Sequence, residues 1–312
     1  MLVEDSVTDM DMVTSNARLF ELLYQHLPLD DVLSMFETLN DWEIRNTVAH
    51  RINRNAVSVH DIVKSVPQLS STAEQIAAEW ARFRITGNAQ LYALMAQLER
   101  KERCGLTVGV EGAHHLDAAL ASGDGVVIVT PHVGLFQAVP LFVASRGAHP
   151  TVLANDGGFD DISSVFRATA PVLSTQFTPR KVKDPATLPA LARALHAGTP
   201  VIMYPEFSMG TSGNAGSLRA PFLGREAWIP TGPARLARLA SVDILPIATR
   251  LVGRREVVFD IQPPLKSDAV ADDPRAASLK IFSWLEQTIL SDPHLWWCWP
   301  MLTSTMTVTS DS

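Results

Sequence analysis

A histidine, His132, directly follows the apolar run GVVIVTP at residues 125–131. At the end of a buried strand, an imidazole can take a proton from a hydroxyl or an amine near neutral pH. Gly134 would let the backbone approach a substrate closely, and amides of the following segment could face a developing oxyanion. The alternative is a histidine that caps a helix or bonds to the backbone, and its position favours neither role over the other.

An acidic residue, Glu206, ends a second apolar run, PVIMYP at residues 200–205. A stretch rich in Gly, Ser and Thr comes next, in which Ser208, Thr211 and Ser212 carry hydroxyl groups. Hydroxyls and amides of this kind can hold a carbonyl or a phosphate. The pattern is weak by itself, because an ordinary solvated loop acid would look the same.

A sheet is needed to bring these two residues together. Beyond residue 105, short runs rich in Val and Ile alternate with stretches of helical period, which predicts an α/β fold with a mostly parallel central sheet flanked by helices. The predicted strands are 125–130, 151–155, 200–205, 243–251 and 256–261. Ligands of such sheets bind at the carboxyl ends of the strands, where both His132 and Glu206 fall.

The chain divides into three predicted parts. Residues 1–104 have a helical pattern, residues 105–300 carry the α/β pattern, and residues 301–312 form a loose tail. The predicted helices of the second part are 136–147, 185–198, 231–240 and 273–290.

The composition excludes several classes of function. The 312 residues carry a formal net charge of -7 with a pI near 5.7, which argues against a nucleic-acid binder. Two cysteines, Cys104 and Cys298, give neither a disulfide framework nor zinc-ligand spacing, so we expect a reducing compartment and no metal. The acidic N-terminus, with no apolar run of about 20 residues in the chain, predicts a cytoplasmic protein whose membrane association is at most peripheral.

Four longer stretches are more specific than either residue alone. They are DGVVIVTPHVGLFQ (124–137), RALHAGTPVIMYPE (193–206), APFLGREAWIPTGPARLARLASVDILPI (220–247) and DPHLWWCWP (292–300). Together they resemble the lipid A lauroyl/myristoyl acyltransferase family, part of the wider glycerolipid acyltransferase superfamily. That family has a His-x4-acid motif after a strand, an acidic loop, a TGPARLA helix and a tryptophan-rich end. The last two stretches are hard to match by chance.

The resemblance implies transfer of an acyl group from a thioester, on acyl carrier protein or coenzyme A, to a hydroxyl or an amine. His132 would deprotonate the acceptor, which then attacks the thioester carbonyl directly, without a covalent acyl-enzyme. No cofactor would be bound permanently, and the 4′-phosphopantetheine thioester would be a co-substrate. Arg180, Lys181 and Lys183 form a basic spot on which an acidic carrier protein could dock, although a solvated face would look the same.

One position departs from the family pattern: Gln137 stands where the His-x4-acid motif has its acid, giving His-x4-Gln. An amide can accept a hydrogen bond from the imidazole but offers no charge to stabilise an imidazolium. We therefore expect Gln137 to position His132 and Glu206 to supply the carboxylate. Two other outcomes stay open: an amine acceptor that needs less help, or a fold that binds a carrier-linked or lipid-like ligand without turnover.

A second departure concerns the acceptor. Related glycerolipid enzymes follow the Pro-Glu pair with an arginine that holds a phosphate, but this chain reads PEFSMGTSG at 205–213. Arg219 and Arg225 flank the APFLG stretch and are the remaining candidates for meeting an anion, unless they are ordinary surface arginines. We expect a small-molecule acceptor in a specialised biosynthetic pathway, with a lipid or glycolipid hydroxyl at a membrane surface as the alternative.

Overall fold

The computed structural model describes residues 23, 26–45, 59–100, 105–154, 166–167, 169–182, 186–206 and 216–302. Several predictions concern residues outside these ranges: Cys104, Lys183, the hydroxyl-bearing stretch 207–215 and the tail from 303 onward.

A seven-stranded sheet forms the centre of the described chain. The described residues form seven strands in this sheet and two, β6 and β7, in a separate hairpin. In chain order they are β1 Thr107–Glu111, β2 Val127–Val129, β3 Thr151–Ala154, β4 Thr178–Lys181, β5 Val201–Met203, β6 Ser217–Phe222, β7 Arg225–Pro230, β8 Ile244–Val252 and β9 Glu256–Ile261. The sheet has the order β1-β9-β8-β2-β5-β3-β4, and each neighbouring pair is parallel except β8 and β9. The predicted α/β class with a mostly parallel sheet is thus confirmed.

The five predicted strands correspond to β2, β3, β5, β8 and β9. They were recognisable because central strands of parallel sheets are buried on both faces and read as unbroken apolar runs. The strands β1 and β4 were not predicted, since each mixes polar and apolar residues and lies at an edge of the sheet. The hairpin of β6 and β7, a separate antiparallel pair, alternates buried and exposed residues and was also missed.

Helices cover the sheet and precede it. They are α1 Leu29–Arg45, α2 Ala73–Arg100, α3 Ala113–Ser122, α4 Val139–Ser145, α5 Thr187–His196, α6 Gly232–Ala240, α7 Ser267–Asp272 and α8 Pro274–Ser291, and residues 59–64 are helical as well. The helix predicted over 136–147 is shorter than expected, because Phe136–Ala138 forms a 3-10 turn before α4 begins.

The N-terminal helices pack onto the α/β part. Helix α2 contacts α4, the Phe136–Ala138 turn and a second 3-10 turn at Pro293–Leu295. Buried side chains on both sides of residue 104 belong to one hydrophobic cluster. The three-part division stays a prediction. Within the described ranges, no helix is both long and apolar enough to cross a membrane.

Candidate active site

The loop that follows β2 carries His132 and bends sharply at Gly134. Gly134 has a φ of +61°, and a Cβ there would lie 2.7 Å from the Thr249 carbonyl oxygen. Thr249 on β8 also donates its hydroxyl hydrogen to the carbonyl of Val133 at 3.0 Å. Only glycine fits both the left-handed backbone and this close approach, so the tight turn depends on residue 134.

Glu206 occupies the equivalent place after β5. The strands β2 and β5 are parallel neighbours with Val129 paired to Met203, so His132 and Glu206 each lie three residues beyond a paired position. Register alone therefore brings the two side chains to the same edge of the sheet.

The histidine and the glutamate form a buried pair. His132 Nδ1 lies 3.1 Å from Glu206 Oε2, and the backbone N–H of His132 donates to Glu206 Oε1 at 2.6 Å. The side chain of Glu206 is 1% exposed and that of His132 12% exposed. With Nδ1–H directed at the carboxylate, Nε2 is the ring nitrogen that can take a proton, and Glu206 can stabilise the imidazolium.

The tryptophan-rich segment makes hydrogen bonds to Glu206 and to the loop that carries His132. The indole N–H of Trp296 donates to Glu206 Oε1 at 3.3 Å. Trp297 donates its backbone N–H to the His132 carbonyl and its indole N–H to the Gly134 carbonyl, both at 2.9 Å. Trp80 on α2 in turn donates to the Trp296 carbonyl at 2.9 Å. Sequence reasoning did not predict that this segment contacts the loop that carries His132.

The backbone amide of Gly134 already has a hydrogen-bond partner. It donates to the carbonyl of Leu295 at 3.0 Å, which helps to fix the Trp296 segment against the loop. In this conformation its role is therefore structural, and it would have to leave Leu295 before it could bind a substrate oxygen.

Gln137 does not have the partner expected of it. Its side-chain Oε1 is buried and has no hydrogen-bond partner among the described residues. The carboxylate at Nδ1 of His132 comes from Glu206 instead. The carbonyl oxygen of Gln137 therefore accepts no hydrogen bond from the ring in this structure, and a positioning role for Gln137 stays a prediction.

Two aromatic rings flank the imidazole. The centroid of Phe136 lies 4.4 Å from that of His132, and the centroid of Tyr204 lies 4.7 Å away. Burial, with a smaller contribution from the Glu206 charge, raises the pKa of Tyr204 well above its usual range. Tyr204 therefore stays neutral, and the two rings confine His132 without adding a charge.

Three potential metal-ligating groups meet here, namely His132, Glu206 and Cys298, whose ligand atoms all lie within 4.8 Å of one another. Sequence spacing could not reveal that His132 is a neighbour of Cys298. Burial, and then the Glu206 charge, raise the pKa of the Cys298 thiol well above its usual range. Metals bind the thiolate form of cysteine, whereas this thiol stays protonated. Both oxygens of Glu206 already accept hydrogen bonds. The three groups therefore fit a His-Glu pair beside a neutral thiol.

The other predicted binding residues are spread more widely. Arg219 pairs with Glu226 at 3.4 Å on the β6–β7 hairpin. Arg225, beside the turn of that hairpin, donates to the hydroxyl of Ser65 in the N-terminal region. Ser208, Thr211 and Ser212 lie outside the described residues.

We predict that Trp296→Phe lowers kcat about fivefold, since one hydrogen bond to Glu206 contributes about 1 kcal/mol. The matched control is Trp299→Phe, because Trp299 is equally buried but donates to the Pro293 carbonyl. Both variants should lose a similar free energy of unfolding, measured by denaturant titration. An equal loss of kcat in the two variants would mean that Trp296 acts through packing alone.

For Gln137→Met we expect kcat within about threefold of the unmodified protein. Methionine has a similar shape and removes a buried carbonyl oxygen that has no partner, so the free energy of unfolding should stay constant or rise by about 1 kcal/mol. Steady-state kinetics and thermal unfolding test both statements. A hundredfold loss of kcat would instead support the catalytic role that the motif predicts for residue 137.

Comparison with known proteins identifies the family to which the chain belongs. The family described as "Bacterial lipid A biosynthesis acyltransferase" matches residues 69–300, well over half of the chain. The chain is also 23% identical over 273 residues to the phosphatidylinositol mannoside acyltransferases of two Mycobacterium tuberculosis strains, CDC 1551 / Oshkosh and ATCC 25618 / H37Rv. These alignments cover 86% of this chain and 82% of each relative. The resemblance seen in the sequence is confirmed: the chain belongs to the bacterial lipid A biosynthesis acyltransferase family and is an acyltransferase of that family.

Proposed function

We propose that the chain transfers an acyl or aminoacyl group from a thioester, on acyl carrier protein or coenzyme A, to an amine or hydroxyl of a small molecule. The observation that carries the proposal is the 3.1 Å contact between His132 Nδ1 and the buried Glu206 carboxylate. A carboxylate at this nitrogen makes the imidazole a competent base for an alcohol as well as for an amine.

The transfer is a direct displacement. His132 Nε2 takes a proton from the acceptor as its oxygen or nitrogen forms a bond to the thioester carbonyl carbon. The C–S bond then breaks, and the imidazolium returns the proton to the leaving thiolate. Glu206 stays ionised throughout and offsets the charge on the imidazolium.

The acceptor has a second candidate class. The two mycobacterial relatives are phosphatidylinositol mannoside acyltransferases. Their similarity favours a lipid or glycolipid hydroxyl, which this chain would meet at a membrane surface. The departure at the Pro-Glu motif, where no arginine follows, favours the small molecule.

Carrier-protein docking has support from one edge of the sheet. Arg180 and Lys181 are exposed on the edge strand β4. A pair of exposed cations on an otherwise acidic chain could steer an acidic carrier toward this edge. Lys183, the third member of the predicted spot, lies outside the described residues.

The proposal is tested by incubating the purified protein with acyl and aminoacyl thioesters of coenzyme A and of carrier protein. Amines, small alcohols and a mannosylated phosphoinositide serve as competing acceptors, and mass spectrometry identifies the product. Transfer to a soluble acceptor supports the proposal, whereas transfer to the glycolipid alone would establish the second candidate. Thioester binding without any product would favour a module that binds its ligand without turnover, an outcome compatible with Gln137 in the motif.

Cys298→Ala separates direct transfer from a covalent route. The thiol is near His132 but is buried and protonated, so we expect kcat within about threefold of the unmodified protein. Rapid quenching followed by intact-protein mass spectrometry should show no acyl adduct on the unmodified chain. An adduct that disappears in Cys298→Ala together with turnover would replace direct transfer by a two-step mechanism.

A further inference from the structure

A concave site lies on the outer side of α6. It is a cleft of about 990 Å³ between α6, the β6–β7 hairpin and the start of α8. Neither His132 nor Glu206 is among the described residues that line it. The cleft is therefore distinct from the His-Glu pair.

The cleft is strongly basic. Arg219 comes from β6, Arg235 and Arg238 from α6, and Arg275 from α8. Arg235 and Arg238 are three residues apart, a spacing that puts them on one face of the helix. The acid that lines the described part of the cleft is Asp273. An excess of three positive charges in one cleft contrasts with the formal charge of -7 on the whole chain.

Two acids near these arginines, Asp273 and Glu226, neutralise only part of that charge. One oxygen of Asp273 accepts the backbone N–H groups of Arg275 and Ala276 at 2.9 and 3.0 Å, and so caps α8. Arg219 pairs with Glu226, but both side chains are more than half exposed, so water screens the pair. Arginine binds phosphate groups through two parallel N–H donors, which makes such a cluster suited to phosphate esters.

Other side chains suit a ligand that is partly apolar. Leu239 lines the cleft and is 58% exposed. Trp228 also lines it, and its indole N–H is buried with no acceptor among the described residues. A ligand that carries both phosphate oxygens and apolar groups would cover the leucine and could supply an acceptor for the indole.

The direction of α6 relates the cleft to the active site. The helix packs against β2, the strand that leads to His132, and it begins directly after Thr231, which lines one end of the cleft. Its nine residues span about 13 Å. Arg238 lies at the far end of the helix, so a ligand along α6 can place its charged end at the arginines and its other end toward the active-site edge of the sheet.

We propose that this cleft binds the phosphate groups of a thioester donor of the coenzyme A class, an inference that rests on the proposed function. The arginines on α6 and α8 hold the nucleotide phosphates, and the pantetheine arm runs along α6 toward His132. The cleft thereby selects phosphorylated donors over the same acyl thioester without phosphates.

Calorimetric titration of the full chain with coenzyme A and with pantetheine tests the proposal independently of turnover. Coenzyme A should bind about tenfold or more tightly than pantetheine, and its affinity should fall as salt rises. The double variant Arg235→Gln/Arg238→Gln should lose about tenfold or more in coenzyme A affinity while pantetheine binding stays constant. Arg275→Gln, on a different element, should weaken coenzyme A in the same direction. Arg82→Gln, an exposed arginine on α2, is the matched control and should bind both probes normally.

Kinetics give a second readout. With acyl-coenzyme A the double variant should raise KM about tenfold and leave kcat within about twofold, and with acyl-pantetheine neither constant should change. Unaltered coenzyme A affinity in both arginine variants would overturn the proposal. The proposal would also be overturned if the unmodified protein bound phosphatidylinositol vesicles and these variants lost that binding but kept their affinity for coenzyme A. If no acceptor is acylated, the proposed function fails, but the titrations still decide whether the cleft binds coenzyme A.

Discussion

Glu206→Gln should lower kcat by about 10⁴-fold with an alcohol acceptor. Glutamine keeps the size of the side chain, but its amide nitrogen can face His132 Nδ1 only as a donor, which forces the unfavourable tautomer. It also removes the charge that stabilises the imidazolium. The same exchange of a buried carboxylate for an amide beside a catalytic histidine costs about 10⁴ in serine proteases. Single-turnover rates with saturating thioester measure the loss without a contribution from product release.

A matched control separates this loss from a general effect on folding. Glu286 is a half-buried glutamate that, like Glu206, accepts a backbone N–H, in its case that of Leu223 at 2.6 Å. Glu286→Gln should therefore disturb local packing to a similar degree while kcat stays within about twofold. If both variants lost activity equally, or if Glu206→Gln lost less than about tenfold, Glu206 would not be the carboxylate that supports His132.

The fold was largely predictable because its centre is built from apolar runs. The strands β2 and β5 are wholly apolar and buried, and the apolar runs that form them therefore end in the sequence close to His132 and Glu206. What single-sequence reasoning could not give was the register. The pairing of Val129 with Met203 sets the two residues at equal distances beyond their strands.

The parts that were missed depend on contacts between distant residues. The role of Trp296 needs a hydrogen bond across 90 positions, and that of Trp80 one across 216. The basic cleft is assembled from two strands, a helix and the start of another helix, so its arginines look like ordinary surface residues in the sequence. Gln137 is different, because its departure from the motif already led us to expect a carboxylate from Glu206, and the geometry adds the contact with His132 Nδ1.

His132→Ala should lower kcat by about 10⁴-fold with an alcohol acceptor, because general-base assistance of the attacking hydroxyl is removed. With an amine acceptor the loss should shrink as the pH approaches the pKa of the amine, since a neutral amine attacks without a base. His196→Ala, an exposed histidine on α5, is the control and should retain full activity. Rates measured for both acceptor types across pH 6–10 therefore also identify the kind of acceptor for which the site is built.

The double variant His132→Ala/Glu206→Gln tests whether the two residues act as one unit. If Glu206 works only through the imidazole, removing it after His132 should change kcat by less than about threefold, because coupled catalytic groups are strongly non-additive. Two independent contributions would instead multiply to a loss of about 10⁸, which product detection by mass spectrometry would register as complete inactivity. That outcome would mean that Glu206 contributes to kcat independently of the imidazole of His132.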